Sequence, residues 1–271
     1  MAKTEKKSVR KVRTIGISAF PVILLCAVAA VAIFKLVYGD SSHFVNGDPN
    51  NHPLQGDLLG TIYKGGVIVP VIQTLLLTVL ALSVERAFAL NKAKGKKQLQ
   101  KFVIAVKSAL DKNDVAAADA LCDAQQGSVA NVVKSSLRTY SEVSANTQLT
   151  KEERQLALRK DLEEATMLEL PSLGQNLPVI ATITTLGTLM GLLGTVIGMI
   201  KSFAALAGAG GTDSIALSTG ISEALVNTAF GIATGAAAVI SYNYFTTKID
   251  GITHSIDEIG AFLVQTFSGN K

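Results

Sequence analysis

The chain has 271 residues, of which 48% are hydrophobic and 17% charged, with a formal net charge of +4 and a mean hydropathy of +0.37. Soluble domains carry about 25% charged residues, so this composition excludes an ordinary soluble domain. The positive balance is not a nucleic-acid footprint either: the charges cluster beside apolar runs, which is how membrane topology is written. No nucleic-acid partner is expected.

In chain order, residues 1–14 form a basic terminus carrying Lys3, Lys6, Lys7, Arg10, Lys11 and Arg13. Ile15 to Phe34 is free of charge. A bilayer core needs about 20 apolar residues, so 15–38 reads as a first transmembrane helix. Its apolar run exceeds the roughly 7–15 residues of a signal peptide, and "LVYGDSS" is a weak cleavage site, so the reading is a retained anchor. Residues 39–64 are polar and turn-rich, with Lys64 as their one lysine or arginine. Residues 65–90 hold a second span, charge-free from Gly65 to Val84. Arg86, Lys92, Lys94, Lys96, Lys97 and Lys101 follow it.

Residues 91–176 read as a helical soluble domain. "DVAAADALCDA" is rich in helix formers, and "TKEERQLALRKDLEEATMLEL" opens with a capping box, Thr150 and Glu153. That second pattern predicts a long helix feeding directly into the next span, with Pro171 and Pro178 kinking the approach. Residues 177–207 are the third span, 208–214 ("GAGGTD" at their centre) a tight turn, 215–247 the fourth span and 248–271 a tail. The fourth apolar stretch is longer than a bilayer core requires, so it is expected to tilt or to project beyond the membrane. Basic flanks belong on the cytoplasmic side. Both termini and 91–176 are therefore placed in the cytoplasm, and 39–64 and 208–214 outside. The fold class expected is an all-α integral membrane protein with four transmembrane helices and a helical cytoplasmic domain.

Other chemistry finds little support. Cys26 and Cys122 make no CxxC pair, so no disulfide framework is implied, and both thiols are expected to be reduced or inert. His43, His52 and His254 are scattered and read as solvated loop positions. No metal spacing, GxSxG or phosphate loop occurs, so no metal, cofactor or catalytic residue is expected, and the chain does not read as an enzyme. Absence of an internal repeat argues against a self-contained secondary transporter.

The informative segment is the hairpin of spans three and four. Thr195 lies fifteen residues before Gly210, Glu223 thirteen after it and Thr228 eighteen after it. At about 1.5 Å per residue these are ~20–27 Å along the helices, so all three sit at similar depth. On a helical wheel Thr219, Glu223, Asn227, Thr234 and Ser241 share one side of span four, and Thr184, Thr188 and Thr195 one side of span three. Thr228 projects about 140° from Glu223, nearer the small-residue side of Ala224, Gly231 and Gly235. The pairs Gly187/Gly191, Gly194/Gly198 and Gly231/Gly235 have the small-xxx-small spacing that lets helix backbones approach closely. A carboxylate at the bilayer centre costs roughly 2.5–3.5 kcal/mol on insertion scales. Glu223 is therefore either a hydrogen-bonded structural group or a working one. A carboxylate beside a threonine-lined path, with Asn227 one turn away, suits transient handling of protons or cations. A pure scaffold would keep the glycines and leave these polar stripes unexplained.

"GLLGTVIGMIKSF" followed by "GISEALVNTAFGIATGAAAVISYNYF" closely resembles the MotA/TolQ/ExbB proton-channel family, and its ExbB and TolQ branches most of all. The matching elements are Gly194-Thr195-Val196-Ile197-Gly198, the run Gly220 to Ile232, and Tyr242-Asn243. "QQGSVANVV" (125–133) and "SVERAFAL" are similar to further family segments, and the resemblance covers most of 65–248. It implies a homo-oligomer, usually a pentamer, around an ExbD- or TolR-like single-span partner in the bacterial inner membrane. Proton flow through that assembly drives a TonB-like periplasmic protein. It also implies that Thr195, Thr228 and Glu223 are polar channel residues; Thr188 and Asn227, on the polar stripes of the same two helices, are expected to extend the proton path. Three features depart from the family pattern: the added first span, Lys201 after the GTVxG run, where it snorkels outward or pairs with Glu223, and Asn227. The soluble region is short for a MotA-like chain, whereas ExbB and TolQ differ mainly in partner.

Overall fold

The computed structural model describes residues 16–146, 148–208 and 214–269. The basic segment 1–14 and most of the expected turn 208–214 lie outside the described residues. The described chain is built of helices: α1 (Ala19–Ile33), α2 (Leu58–Lys64), α3 (Ile68–Lys94), α4 (Leu99–Asp111), α5 (Val115–Gln125), α6 (Gly127–Ala145), α7 (Lys151–Leu173), α8 (Leu177–Gly208) and α9 (Ser214–Gly269). A π-helical turn, Phe34–Tyr38, ends α1, and no strand occurs among the described residues beyond an isolated bridge of Phe44 with Pro53. Among the described residues four helical stretches are long and apolar enough to cross a membrane: Ala19–Tyr38, Ile68–Asp111, Leu177–Ala204 and Leu217–Thr266. The protein is an all-α membrane protein, as its composition demands.

The residues divide into two compact units. One comprises 17–85 and 176–245, the apolar half. Here α1 turns Phe20, Leu24, Leu25 and Val28 outward, each more than half exposed, as expected of a surface meant for lipid. The segment after α1 is pinned by its aromatic rings: Tyr63 stacks on Phe34 at 4.8 Å and meets Phe44 edge-on at 5.4 Å between centroids. Asp57 caps α2 by accepting from the Gly60 N–H, and a second bond at 2.8 Å joins it to His43 Nδ1. Both bonds favour the charged form, so the Asp57 carboxyl is held below its ordinary value, the Gly60 bond contributing most. His43 is thus a half-buried partner, not the solvated loop group expected.

The second unit includes 86–175 and 246–269. It is an ordinary helical bundle with a core of branched and aromatic side chains: Phe102, Val106, Leu110, Val132, Leu137 and Leu158 are all at most 4% exposed. The capping box opens α7, with Thr150 and Glu153 each bonding the other's backbone N–H. Gln125 closes the α3–α4 connection: its amide donates to the carbonyls of Lys94 (2.9 Å) and Lys97 (3.0 Å) and accepts from the Lys97 N–H (3.2 Å). Gly95 and Gly127 sit at this junction with φ of +87° and +86°. An added Cβ would lie 2.4 Å from the carbonyl oxygens of Gln126 and Ala93 respectively, so only glycine fits either position.

Three sequence expectations change. α7 does not run into α8, because Gly174–Asn176 interrupts them and Asn176 adopts φ +67°; Pro178 then sits in the first turn of α8, where a missing N–H costs nothing. The tail after 247 is not a separate element but the last part of α9, which is continuous over 56 residues. Ile252, Ile256, Ile259 and Leu263 recur at spacings of four, three and four, and all are buried. That periodicity puts one apolar stripe on the helix and makes the last part of α9 a member of the helical bundle, where Gly260 lies against Leu162 and Glu258 pairs with Lys107 at 2.7 Å. Arg86, counted above among the basic flank, is fully buried and donates to the carbonyls of Ser172 and Leu173 at the end of α7. A cation there meets the negative end of the helix dipole.

Candidate functional site

The site is built on the contact of α8 with α9. Along α8, Gly187, Gly191, Gly194 and Gly198 fall every three or four residues and so share one face. Each meets α9 at close range. A Cβ on Gly191 would lie 3.0 Å from the Gly231 Cα, and one on Gly198 would lie 3.0 Å from the Ala224 Cα. From the α9 side, a Cβ on Gly231 would lie 2.6 Å from the Gly191 Cα and 2.7 Å from the Gly187 carbonyl oxygen. Gly235 answers Thr188 and Thr184: its Cβ would sit 2.7 Å from Thr188 Oγ1. Gly187, Gly191, Gly198, Gly231 and Gly235 each lie against backbone atoms of the opposite helix, and Gly194 lies against the Asn227 side chain.

Close backbones bring short polar side chains into contact. Thr195 on α8 and Thr228 on α9 touch through their hydroxyls. Thr195 donates to the Gly191 carbonyl at 3.2 Å, and Thr228 Oγ1 lies 3.3 Å from the carbonyls of both Gly191 and Ala224. Two hydroxyls and the carbonyls of both helices thus make a continuous polar patch in an apolar hairpin. Thr188 is two turns along α8, its hydroxyl 3.4 Å from the Thr184 carbonyl. It lies on the same helix face but does not join the Thr195–Thr228 contact.

Asn227 and Glu223 face elsewhere. Asn227 is only 2% exposed, packed against Gly194, and its amide donates to the Gly65 carbonyl at 3.0 Å. It ties α9 to the turn between α2 and α3, while its Oδ1 is buried without a hydrogen-bond partner. Glu223 is half-buried and lines a cavity of about 440 Å³ with Ser222, Thr219, Thr61 and Lys64 among its neighbours. Helical geometry had separated Glu223 from Thr228, and the structure keeps them on different neighbours. Among the described residues no ion pair joins Lys201 to Glu223; Lys201 is exposed and its ammonium lies near Gly66.

Sequence reasoning missed Lys64 and His52, which come from the loop and α2 to the same cavity. Their signal was weak: a lone lysine and a histidine in a polar connection. No group of acidic, histidine and cysteine side chains suited to a metal occurs among the described residues. Cys26 and Cys122 are free and buried, and burial pushes the Cys122 thiol up to about 12.

Comparison with known proteins follows the same segments. The MotA/TolQ/ExbB proton channel family matches residues 125–258, from the Gln125 clamp to the far part of α9. The chain is 34% identical over 99 residues to the Tol-Pal system protein TolQ of Haemophilus influenzae, covering 35% of this chain and 43% of that protein. It is 39% identical over 89 residues to the putative biopolymer transport protein ExbB-like 3 of Synechocystis, covering 32% and 42%. The match therefore spans less than half the length of these two relatives. It is 34% identical over 104 residues to the putative biopolymer transport protein ExbB-like 2 of Helicobacter pylori, covering 36% of this chain and 69% of that protein. With the hairpin motif, the spanning helices and these matches in agreement, the chain belongs to the MotA/TolQ/ExbB proton channel family.

Proposed function

We propose that the chain is an ExbB-like subunit of an inner-membrane proton channel or motor. It uses the proton motive force, together with an ExbD-like single-span partner, to energise TonB-dependent transport across the outer membrane. The observation that carries this reading is the Thr195–Thr228 hydroxyl contact inside the glycine-packed hairpin. Paired hydroxyls at membrane depth give protons a relay where aliphatic side chains would stop them, and Glu223 supplies a nearby carboxylate able to take up and release one. Thr188 and Asn227 extend the polar lining of the same helices. The protein does no covalent chemistry in this scheme and is not an enzyme.

Topology belongs to the same proposal. Both termini and the helical domain 91–176 are cytoplasmic, 15–38 is an added spanning helix and 39–64 faces the periplasm. Copies of the chain, five in the simplest case, surround the partner's helix within the lipid. A TolQ-like role in the Tol-Pal envelope system is the second reading, favoured by the 34% identity to a TolQ protein. The two roles differ in the partner chain and the periplasmic client.

The test is proton flux into liposomes holding this chain with and without its genomically adjacent single-span partner. Flux is expected only with the partner, and Thr195→Val or Thr228→Val should lower it at least tenfold while the oligomer survives. Undiminished flux in both variants removes the threonines from the path. Glu223→Gln should impair flux with assembly intact, and collapse of the oligomer would instead make Glu223 a structural group.

A further inference from the structure

The spanning helices are tied to one another at two levels. At one level Asn176, just before α8, donates from Nδ2 to the Ile17 carbonyl at 2.7 Å and to Glu85 Oε2 at 3.2 Å. That node joins the approach to α1, the charged end of the apolar run of α3 and the approach to α8. At the other level Phe34, next to Lys35, stacks on Tyr63, next to Lys64. There the Lys201 ammonium lies near Gly66, and the Asn227 amide donates to the Gly65 carbonyl at 3.0 Å. Lys35, Lys64 and Lys201 come from three separate stretches of sequence, yet they mark the same level, and Glu85 marks the opposite one.

Between these levels the charge-free run Gly65 to Val84 has 20 residues, about 30 Å at helical rise. That is the thickness of a hydrocarbon core. The same measure holds on α9: Asn227, bonded at the level of Gly65, is followed by 20 uncharged residues before Lys248. Glu223 lies outside this interval. It precedes Asn227 by one turn, which puts it about 6 Å on the loop side of Gly65. Its surroundings agree. Thr61, Lys64 and the loop residues His52, Pro53 and Leu54 share its cavity, and Thr219, one turn further out, meets His52 Nδ1 at 3.3 Å. A carboxylate at this height avoids the cost of a charge at the bilayer centre.

We infer that the apolar layer of the bilayer ends at the level of Gly65, so that Glu223 stands at the mouth of the proton path on the side of loop 39–64 and exchanges protons with the water there. The Thr195–Thr228 pair, one residue inward of Gly194 and Asn227, is then the first pair of hydroxyls inside. The part of α9 before Glu223 projects from the membrane, and the loop packs on it through His52. This rests on the proton-channel reading of Glu223 given above, and replaces the bilayer-centre position expected from the sequence.

The experiment measures depth in the full chain, held in lipid nanodiscs. The sequence contains no tryptophan, so Leu225→Trp and Ile240→Trp, at exposed positions of α9, each supply one fluorophore. The probes are lipids brominated at the headgroup end or at the tail end of the acyl chain. Leu225→Trp should be quenched about twofold more by the first lipid and Ile240→Trp about twofold more by the second, because the positions are about 22 Å apart along the helix. Glu223 at the bilayer centre requires the reverse order. Reversed or equal quenching overturns the inference. Should a tryptophan variant not fold, Ser222→Cys and Ile240→Cys take its place, with Cys26 and Cys122 replaced by alanine. A membrane-impermeant sulfonate thiol reagent should modify the first about tenfold faster, since the second lies within the hydrocarbon core, and equal rates overturn the inference. Neither readout needs partner or flux. Unchanged flux in Glu223→Gln with the depth order as expected would remove Glu223 from the channel and leave the boundary standing, so the two failures are told apart.

Discussion

Two helix pairs in this chain are held together by opposite means. In the bundle, α6 packs on α7 through large side chains, with Leu137 and Leu158 no more than 2% exposed. In the hairpin, α8 meets α9 through glycine, and the side chains at the glycines are threonine, asparagine, serine and alanine. The contrast follows from the solvent. Water drives apolar side chains together, so bulk between two helices is stabilising in the bundle. Lipid tails are as apolar as leucine and supply no such drive, so spanning helices gain instead from close backbone contact and short hydrogen bonds. One consequence is chemical. A seam filled by leucine has no place for paired hydroxyls, whereas a glycine seam brings Thr195 and Thr228 together.

The largest effect that sharpens this contrast is expected at Gly231. In Gly231→Leu the new side chain must start 2.6 Å from the Gly191 Cα and 2.9 Å from its nitrogen, backbone atoms that cannot step aside. We expect no folded protein in the detergent extract by size-exclusion chromatography. Gly251 lies on the same helix, where an added Cβ meets nothing within 4 Å. Gly251→Ala should therefore fold normally and gain up to about 1 kcal/mol in helix propensity. Equal tolerance at the two positions would break the argument for a backbone seam.

Next in size is Leu137→Ala, which should cost roughly 2–5 kcal/mol in the bundle. Heating followed by limited proteolysis should show cleavage within 91–176 and the end of α9 at a lower temperature, with α8 and residues 214–245 still protected. Loss of protection in the hairpin at the same temperature would mean that the two units unfold as one.

The smallest effect is at Asp57. Its carboxyl is held below the ordinary value of 3.8 by the Gly60 N–H and by His43. A depressed acid stabilises the fold above its unfolded pKa and loses that contribution as pH falls through the folded pKa. Asp57→Asn should thus lower the melting temperature slightly at pH 7, and the gap to the native chain should close below about pH 4. A gap independent of pH would show that the Asp57 bonds act through shape alone.

Much of this was legible in the sequence because it depends on neighbours along the chain. Four apolar runs of spanning length, the capping box at Thr150 and the glycine periodicity of α8 are local patterns, and each has its counterpart among the helices. Ile252, Ile256, Ile259 and Leu263 also carried a local signal; the reading stopped at the end of the apolar run and so missed it. Three matters were not legible. Arg86 reads as a flanking charge but is buried at the end of α7, a partner more than eighty residues away. Asn227 reads as part of a stripe with Glu223 but bonds Gly65. Lys64 reads as a lone loop cation but lines the cavity of Glu223.

The sequence by itself determined the class of protein, the helices that span and the family, since hydropathy, periodicity and motif spacing are properties of contiguous residues. Only the tertiary structure decided which polar groups meet: Thr195 with Thr228, Asn227 with Gly65, and Glu223 facing a cavity rather than the hairpin seam. A helix wheel fixes the direction in which a side chain points, but what stands there is set by how distant segments pack.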